Sequence, residues 1–290
     1  MKKVFLLFLI MATPFLVFSQ RGKSSVNDLV MMNLKGAVKE VRHFAFTPEY
    51  MEEDSIVLSP LDFFGTHNFI LKFNERGWLN EKIELRLNQE DHLFPDAIWK
   101  YTYDRQERLS SETITFRVTT PDTASFHYAY PNDSLMTIAE KQNRQTKMTY
   151  RYTQDDRTEE FIAINRDSSY IGKTYFEKDT FERIIRREDY NNMPRLQNLT
   201  INFYQDSIFR TPYKTIETNL RTGRMLHIEN LLDEHGNMIS QKVGPIQNGE
   251  SKITTYTYLY DAGGNWIEKR EFIDNQLIKI FLREIEYYQN

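Results

Sequence analysis

Histidines and acids are the residues of this chain that could do chemistry, so their spacing comes first. The six histidines are His43, His67, His92, His127, His227 and His235. None are paired at ligand spacing, and neither HExxH nor His-x-His occurs. Ordinary strand histidines account for them, and no metal is expected. A G-x-S-x-G elbow, a P-loop and a dinucleotide fingerprint are all absent from the sequence. Gly263 and Gly264 read as a turn, since no helix follows to receive a phosphate. No cofactor is expected. Acids are abundant, and a carboxylate pair could serve glycoside hydrolysis. The visible pairs, such as Asp155 and Asp156, lie in predicted turns, where solvated carboxylates are ordinary. The acids Glu52, Glu53 and Asp54 are consecutive, so on an extended chain they alternate direction and do not converge on an ion. No catalytic residue is assigned.

Binding chemistry has more to work with. Trp78, Trp99 and Trp266, with neighbouring tyrosines, could line a groove where sugar rings stack on aromatic faces. The same rings at alternating spacing also build a core, and packing is the stronger reading. Four tripeptides, DSI at 54–56, DTA at 122–124, DSL at 133–135 and DSI at 206–208, resemble an O-glycosylation acceptor of some exported bacterial proteins. Modification at some of Ser55, Thr123, Ser134 and Ser207 is therefore expected, with all four in loops or turns. Asp followed by Ser is also good turn chemistry by itself.

The elements that position these residues are strands. Of 290 residues, 40% are hydrophobic and 14% aromatic, enough for a packed core and too apolar for a disordered chain. Residues 1–19 read as a signal peptide: a basic start at Lys2 and Lys3, an apolar run from Val4 to Phe18, and a small residue at Ser19. The run is too short and too interrupted at Pro14 for a lasting membrane anchor. Loss of Lys2 and Lys3 takes the formal charge from −4 to −6, which argues against nucleic acid as a partner. With no cysteine there is neither a disulfide framework nor a lipid acceptor at the signal junction. An exported protein, periplasmic, cell-surface or extracellular, is expected.

Beyond the signal, residues 20–33 are expected to be a flexible start and 34–290 a single β-hairpin domain, with 47–67 an inserted loop carrying a short strand at 55–58. A strand is predicted over 34–46. The cleanest alternation is at Ile83, Leu85 and Leu87, with Lys82, Glu84 and Arg86 between them, implying one dry and one wet face. Thr137 to Lys147 reads as a loop or short helix. Aromatic or apolar residues precede polar turns at positions 73, 103, 130, 152, 176, 204, 232 and 260, spaced 22–30 residues apart. Bounded, drifting spacing of this kind marks a repeated strand–turn–strand unit. One hairpin cannot bury its aromatic face alone, so the units must join edge to edge. The expected fold is all-β: an antiparallel meander, in a curled single sheet or two layers, with edge strands at 38–46 and 278–288 if it does not close.

The string YLYDAGGNW at 258–266 resembles the YD (RHS-type) repeat. FNERGWL at 73–79 and LDEHGNM at 232–238 are similar to it, and the likeness runs over residues 68–290. It implies a β-hairpin repeat protein of the kind secreted by Gram-negative bacteria, with no catalytic residues to carry over. The leading expectation is a non-enzymatic exported protein that presents a surface to a protein or glycan partner. A secreted hydrolase acting on an extracellular polymer stands second. An outer-membrane β-barrel stands third, disfavoured by charge on both faces of several strands and by the final residues Gln289 and Asn290.

Overall fold

A computed structural model describes residues 27–50, 56–61, 68–88, 92–117, 122–132, 135–140, 148–155, 157–165, 169–193, 195–207, 209–245 and 250–289. Alternating aromatic and β-branched residues, broken by Asx-headed turns, fold as short antiparallel strands. Among the described residues there are nineteen strands. The first five are β1 (Val38–Tyr50), β2 (Ile56–Pro60), β3 (Phe69–Phe73), β4 (Leu79–Leu87) and β5 (Leu93–Tyr103). Then come β6 (Leu109–Phe116), β7 (Asp122–Asn132), β8 (Leu135–Glu140), β9 (Met148–Asp155), β10 (Thr158–Asn165), β11 (Tyr170–Lys178) and β12 (Ile184–Tyr190). The last seven are β13 (Leu196–Phe203), β14 (Lys214–Asn219), β15 (Arg224–Leu232), β16 (Met238–Pro245), β17 (Lys252–Tyr260), β18 (Trp266–Ile273) and β19 (Gln276–Tyr287).

The chain divides into two compact units. One holds residues 102–112 and 125–197. Its strands β9, β10, β11 and β12 pair in sequence, as do β7 and β8. Leu109, Tyr128, Met136, Ile138 and Ala163 are buried there, and Phe161 meets Phe176 edge to face at 5.9 Å. Part of the segment expected to be loop or helix, Thr137 to Glu140, is strand instead, because Thr137, Ile138 and Ala139 pair with Ala129, Tyr128 and His127.

The other unit holds residues 27–101, 113–124 and 198–290. Strands β13 to β19 pair each with the next, and β3 pairs with β4, β4 with β5. Residues 38–46 and 278–288, expected as edges only if the sheet stayed open between them, are paired with each other. β1 pairs with β19 from Val38 to Phe46 on one side. On its other side it pairs with β3 from Glu40 to His43 and with β2 from Phe46 to Tyr50. Its thirteen residues are long enough to serve all three partners. Within the 47–67 insertion the expected short strand is β2, and beyond that expectation β1 itself runs on through Thr47 to Tyr50 to pair with it.

Five turns share one geometry. Asn74, Asp104, Asp179, Asp233 and Asp261 each open a five-residue turn closed by main-chain bonds from the fourth residue to the first and from the first to the fifth. The opening side-chain oxygen accepts the N–H of the fifth residue in every case and of the third in four. The fourth residue sits at positive φ: Gly77, Glu107, Glu182, Gly236 and Gly264. This left-handed residue closes a three-residue hairpin with a bulge, and the register slips just before four of the five turns.

Residues 27–33 were expected to be flexible, and they are folded. Asn27 caps the short helix α1 (Asp28–Met31) by accepting the Val30 N–H at 3.1 Å. The Asp28 carboxylate accepts the Leu79 N–H at 2.8 Å, and the Leu29 N–H donates to the Gly77 carbonyl. Leu29 and Leu34 then enter a core with Val38, Val41, Leu71, Phe73 and Leu79. Residues 1–26, including the expected signal peptide, lie outside the described residues.

Candidate ligand face

Residues directly opposite in an antiparallel pair point to the same side of the sheet, so the register sorts side chains by face. On β1, β3, β4, β18 and β19 one face is a charged lattice. It carries Glu40, Arg42, Lys72, Glu81, Glu268, Arg270 and Glu284. Arg42 pairs with Glu40 at 2.7 Å, Lys72 with Glu81 at 2.8 Å and Arg270 with Glu268 at 2.6 Å.

The opposite face is aromatic and holds buried charge. Tyr258, Lys269, Phe281 and Ala45 lie in one cross-strand row. Arg283, His43, Phe69 and Glu84 form the next. His43 stacks flat on Phe69 at 4.5 Å and meets Trp266 edge-on at 5.6 Å. The Arg283 guanidinium lies 3.5 Å from the centre of the Trp266 ring, and its Nε donates to His43 Nδ1 at 3.4 Å. His43 therefore presents Nδ1 as an acceptor, with any ring proton on Nε2. Lys269 Nζ sits over Tyr256 at 4.3 Å and Phe281 at 5.1 Å.

Burial dominates the electrostatics of this face. It pulls the Arg283 guanidinium down to about 9 from 12.5, a long way for a group that is almost always charged. Burial also lowers Lys269; Glu271 opposes that shift, while the charges of Arg283 and Lys279 add to it. Burial and the neighbouring tyrosine and aspartate raise the Tyr258 phenol well above its usual range, which keeps it a neutral hydrogen-bond donor to the Met238 carbonyl. Taken together, Lys269 and Arg283 are two cations held against rings on the buried side of the sheet.

The tryptophans singled out by sequence do not share one groove. Trp78 is buried behind its turn. Trp99 is half-buried under Lys82, whose Nζ is 5.8 Å from the ring centre. Trp266 has Arg283 against its ring and Tyr258 at its edge, 6.2 Å away. Of the expected glycosylation positions, Ser55 and Ser134 lie outside the described residues. Ser207 is exposed in a bend after β13. Thr123 is also exposed, but it stands in strand β7 rather than in a loop, because the strand begins one residue earlier at Asp122. His92, His127, His227 and His235 are scattered over separate elements, and no group of three or more possible metal ligands occurs among the described residues.

Sequence reasoning missed Lys269, Arg283 and His43. A signal was there: in β19 the residues Phe281, Ile285 and Tyr287 set the apolar parity, and Arg283 falls on it. A lone cation on the dry parity of a strand is the mark of a charge carried indoors.

No protein-family model matches the sequence, and no curated protein does. Among solved structures, the chain is similar to a porin-like protein from Bacteroides uniformis, with TM-score 0.44 and 10% identity over 87% of this chain and 99% of that one. A porin-like protein from Bacteroides vulgatus gives TM-score 0.29 and 9% identity over 87% of this chain and 98% of that one. A Tc holotoxin pore from Photorhabdus luminescens gives TM-score 0.23 and 8% identity, covering 84% of this chain and 18% of that one. All three likenesses are to β-sheet architecture at low identity.

Proposed function

We propose that the chain is an exported, non-enzymatic repeat protein of the YD (RHS-like) kind that presents a surface to a protein or glycan partner. Two hydroxyl ties support the repeat assignment. Tyr260 donates to the Asp233 carboxylate and Tyr287 to that of Asp261 at 2.5 Å, so each unit's tyrosine holds the turn of the unit before. The observation that carries the binding role is a break in the charged lattice. On that face β17 offers Ile253, Thr255, Thr257 and Leu259, all exposed and uncharged, with exposed Leu231 nearby on β15. An uncharged stripe bordered by charge is the pattern of a docking patch with a polar rim.

Electrostatics weighs against a membrane barrel. Whichever face met lipid, charge would lie in hydrocarbon: Arg42, Glu284, Lys72 and Glu81 on one side, Lys82, Glu84, Lys269 and Arg283 on the other. Each mid-membrane Arg or Lys would cost about 2–4 kcal/mol. The test uses the mature chain as ligand for an envelope-protein and glycan panel from its native host. Binding that Leu259→Arg abolishes, with an unchanged melting temperature, supports the proposal. Turnover of a polymer by the pure protein, or heat-modifiable mobility of a membrane-extracted form, would overturn it.

A further inference from the structure

We infer that residues 27–35 are a detachable strap, and that their seat on three turns is a peptide-binding site that takes the same segment in trans. This site lies apart from the surface proposed above. At the β3–β4 turn, Asn27 Nδ2 donates to the Arg76 carbonyl at 2.7 Å, the Leu29 N–H donates to the Gly77 carbonyl, and the Asp28 carboxylate accepts the Leu79 N–H. At the β15–β16 turn, Asn33 Nδ2 donates to the His235 carbonyl at 3.0 Å, and Lys35 Nζ lies 3.1 Å from His235 Nδ1. At the β17–β18 turn, the Asn265 side chain accepts the Lys35 N–H and donates to the Lys35 carbonyl, both at 2.8 Å. β3 lies on one side of β1 and β19 on the other, so the segment ties together turns from either side of β1.

These are the contacts of a bound peptide. Turn carbonyls and an amide side chain hold its polar groups, while Leu29 and Leu34 are buried against Val38, Val41, Leu71, Phe73 and Leu79. Val30 and Met32 stay exposed. Buried anchors set in a hydrogen-bonded main chain are how a groove takes a short segment. The segment has little order of its own, because α1 has four residues and a single turn does not persist unseated. Gly36, exposed and at φ +81, joins it to β1 as a pivot. Its seat is built by residues as far as 230 positions away, so the contacts do not depend on the segment arriving on its own chain. A terminal segment on a pivot, ordered by its seat, is the kind of element that copies of a chain exchange. The occupant that matches every contact is this chain's own sequence, supplied in cis or by a second copy.

The test titrates a fluorescent peptide of residues 27–37 into the full mature chain and into its Leu29→Ala variant, which loosens the resident strap. The peptide should bind the variant saturably, and about tenfold or more tighter than wild type, whose seat is filled. It should also raise the melting temperature that Leu29→Ala lowers. A peptide carrying Leu29→Asp should do neither. If Leu29→Ala fails to fold, Asn27→Ala combined with Asn33→Ala takes its place. Absence of saturable binding at millimolar peptide, equal binding to variant and wild type, or equal binding of the Leu29→Asp peptide would overturn the strap and make the segment a fixed part of the core. Leu259 lies outside the seat, so peptide binding that survives Leu259→Arg separates this result from that of the docking surface.

Discussion

At the scale of single residues, the tyrosine–aspartate tie is where the repeat is held. Asn237 and Asn265 donate to the same Tyr260 and Tyr287 hydroxyls, so each hydroxyl joins both ends of the preceding turn. Tyr287→Phe leaves Asp261 short of a charge-assisted bond and should lower stability by about 1.5–3 kcal/mol in urea denaturation. Two turns solve the same problem differently. Arg108 and Arg183 occupy the fifth position and donate from Nε to Asp104 and Asp179 at 2.8 and 2.7 Å. Burial pushes these two carboxylates up, but hydrogen bonds from main chain and side chain outweigh it and hold both below 3.8. A depressed acid adds stability that is complete above its unfolded value and is lost as pH falls through the folded one. Stability should therefore drop as pH is taken below about 4. Asp179→Asn should make that acid limb shallower; an unchanged limb would count against the tie. Trp266→Ala should cost about 3 kcal/mol through lost packing under Arg283 and His43, measured as a fall in denaturation midpoint.

At the scale of elements, the glycines of the turns have a reason that their spacing did not show. A methyl group on Gly77 would stand 2.4 Å from Asn27 Nδ2, and one on Gly236 would stand 2.6 Å from Phe209. Glu107 and Glu182 fill the same turn position with a side chain. At Gly77 and Gly236 glycine thus marks where another segment docks on the turn, whereas at Gly264 a methyl would meet Lys35 Nζ at an ordinary 3.4 Å. Gly223 has φ +70 and open space around it, so it serves as a control. Gly77→Ala should destabilise by more than Gly223→Ala, and equal melting temperatures would sink the docking explanation. Asx turns such as that at Asp261 and the strand period at Ile83 were legible in the sequence because both are local, but the faces were not: Ile83 stands on the charged side and Lys82 and Glu84 on the aromatic one. The helix over Asp28–Met31 was not, since four residues are too few to show a period. The dry-face cations were legible only at Arg283, which shares the parity of Phe281 and Ile285 in β19.

At the scale of the whole molecule, the pairing of β1 with β19 joins residues about 240 apart, such as His43 and Arg283. No local pattern announces such a partner, which is why closure between 38–46 and 278–288 was left open by the sequence. Deleting residues 276–290 should expose the β19 side of β1 and produce concentration-dependent self-association, seen by light scattering, while a monomeric truncated form would argue that β1 is protected some other way.

That same pairing sets a timetable. A chain made from its N-terminus extends β1 long before the strand that completes it exists. Until synthesis reaches β19, the backbone donors and acceptors along that side of β1 have no native partner. Closing so long a loop is entropically slow, and pairings between distant strands form late. The interval before the last strand arrives is therefore when this protein is most open to wrong partners, and where a holding chaperone would have the most to protect.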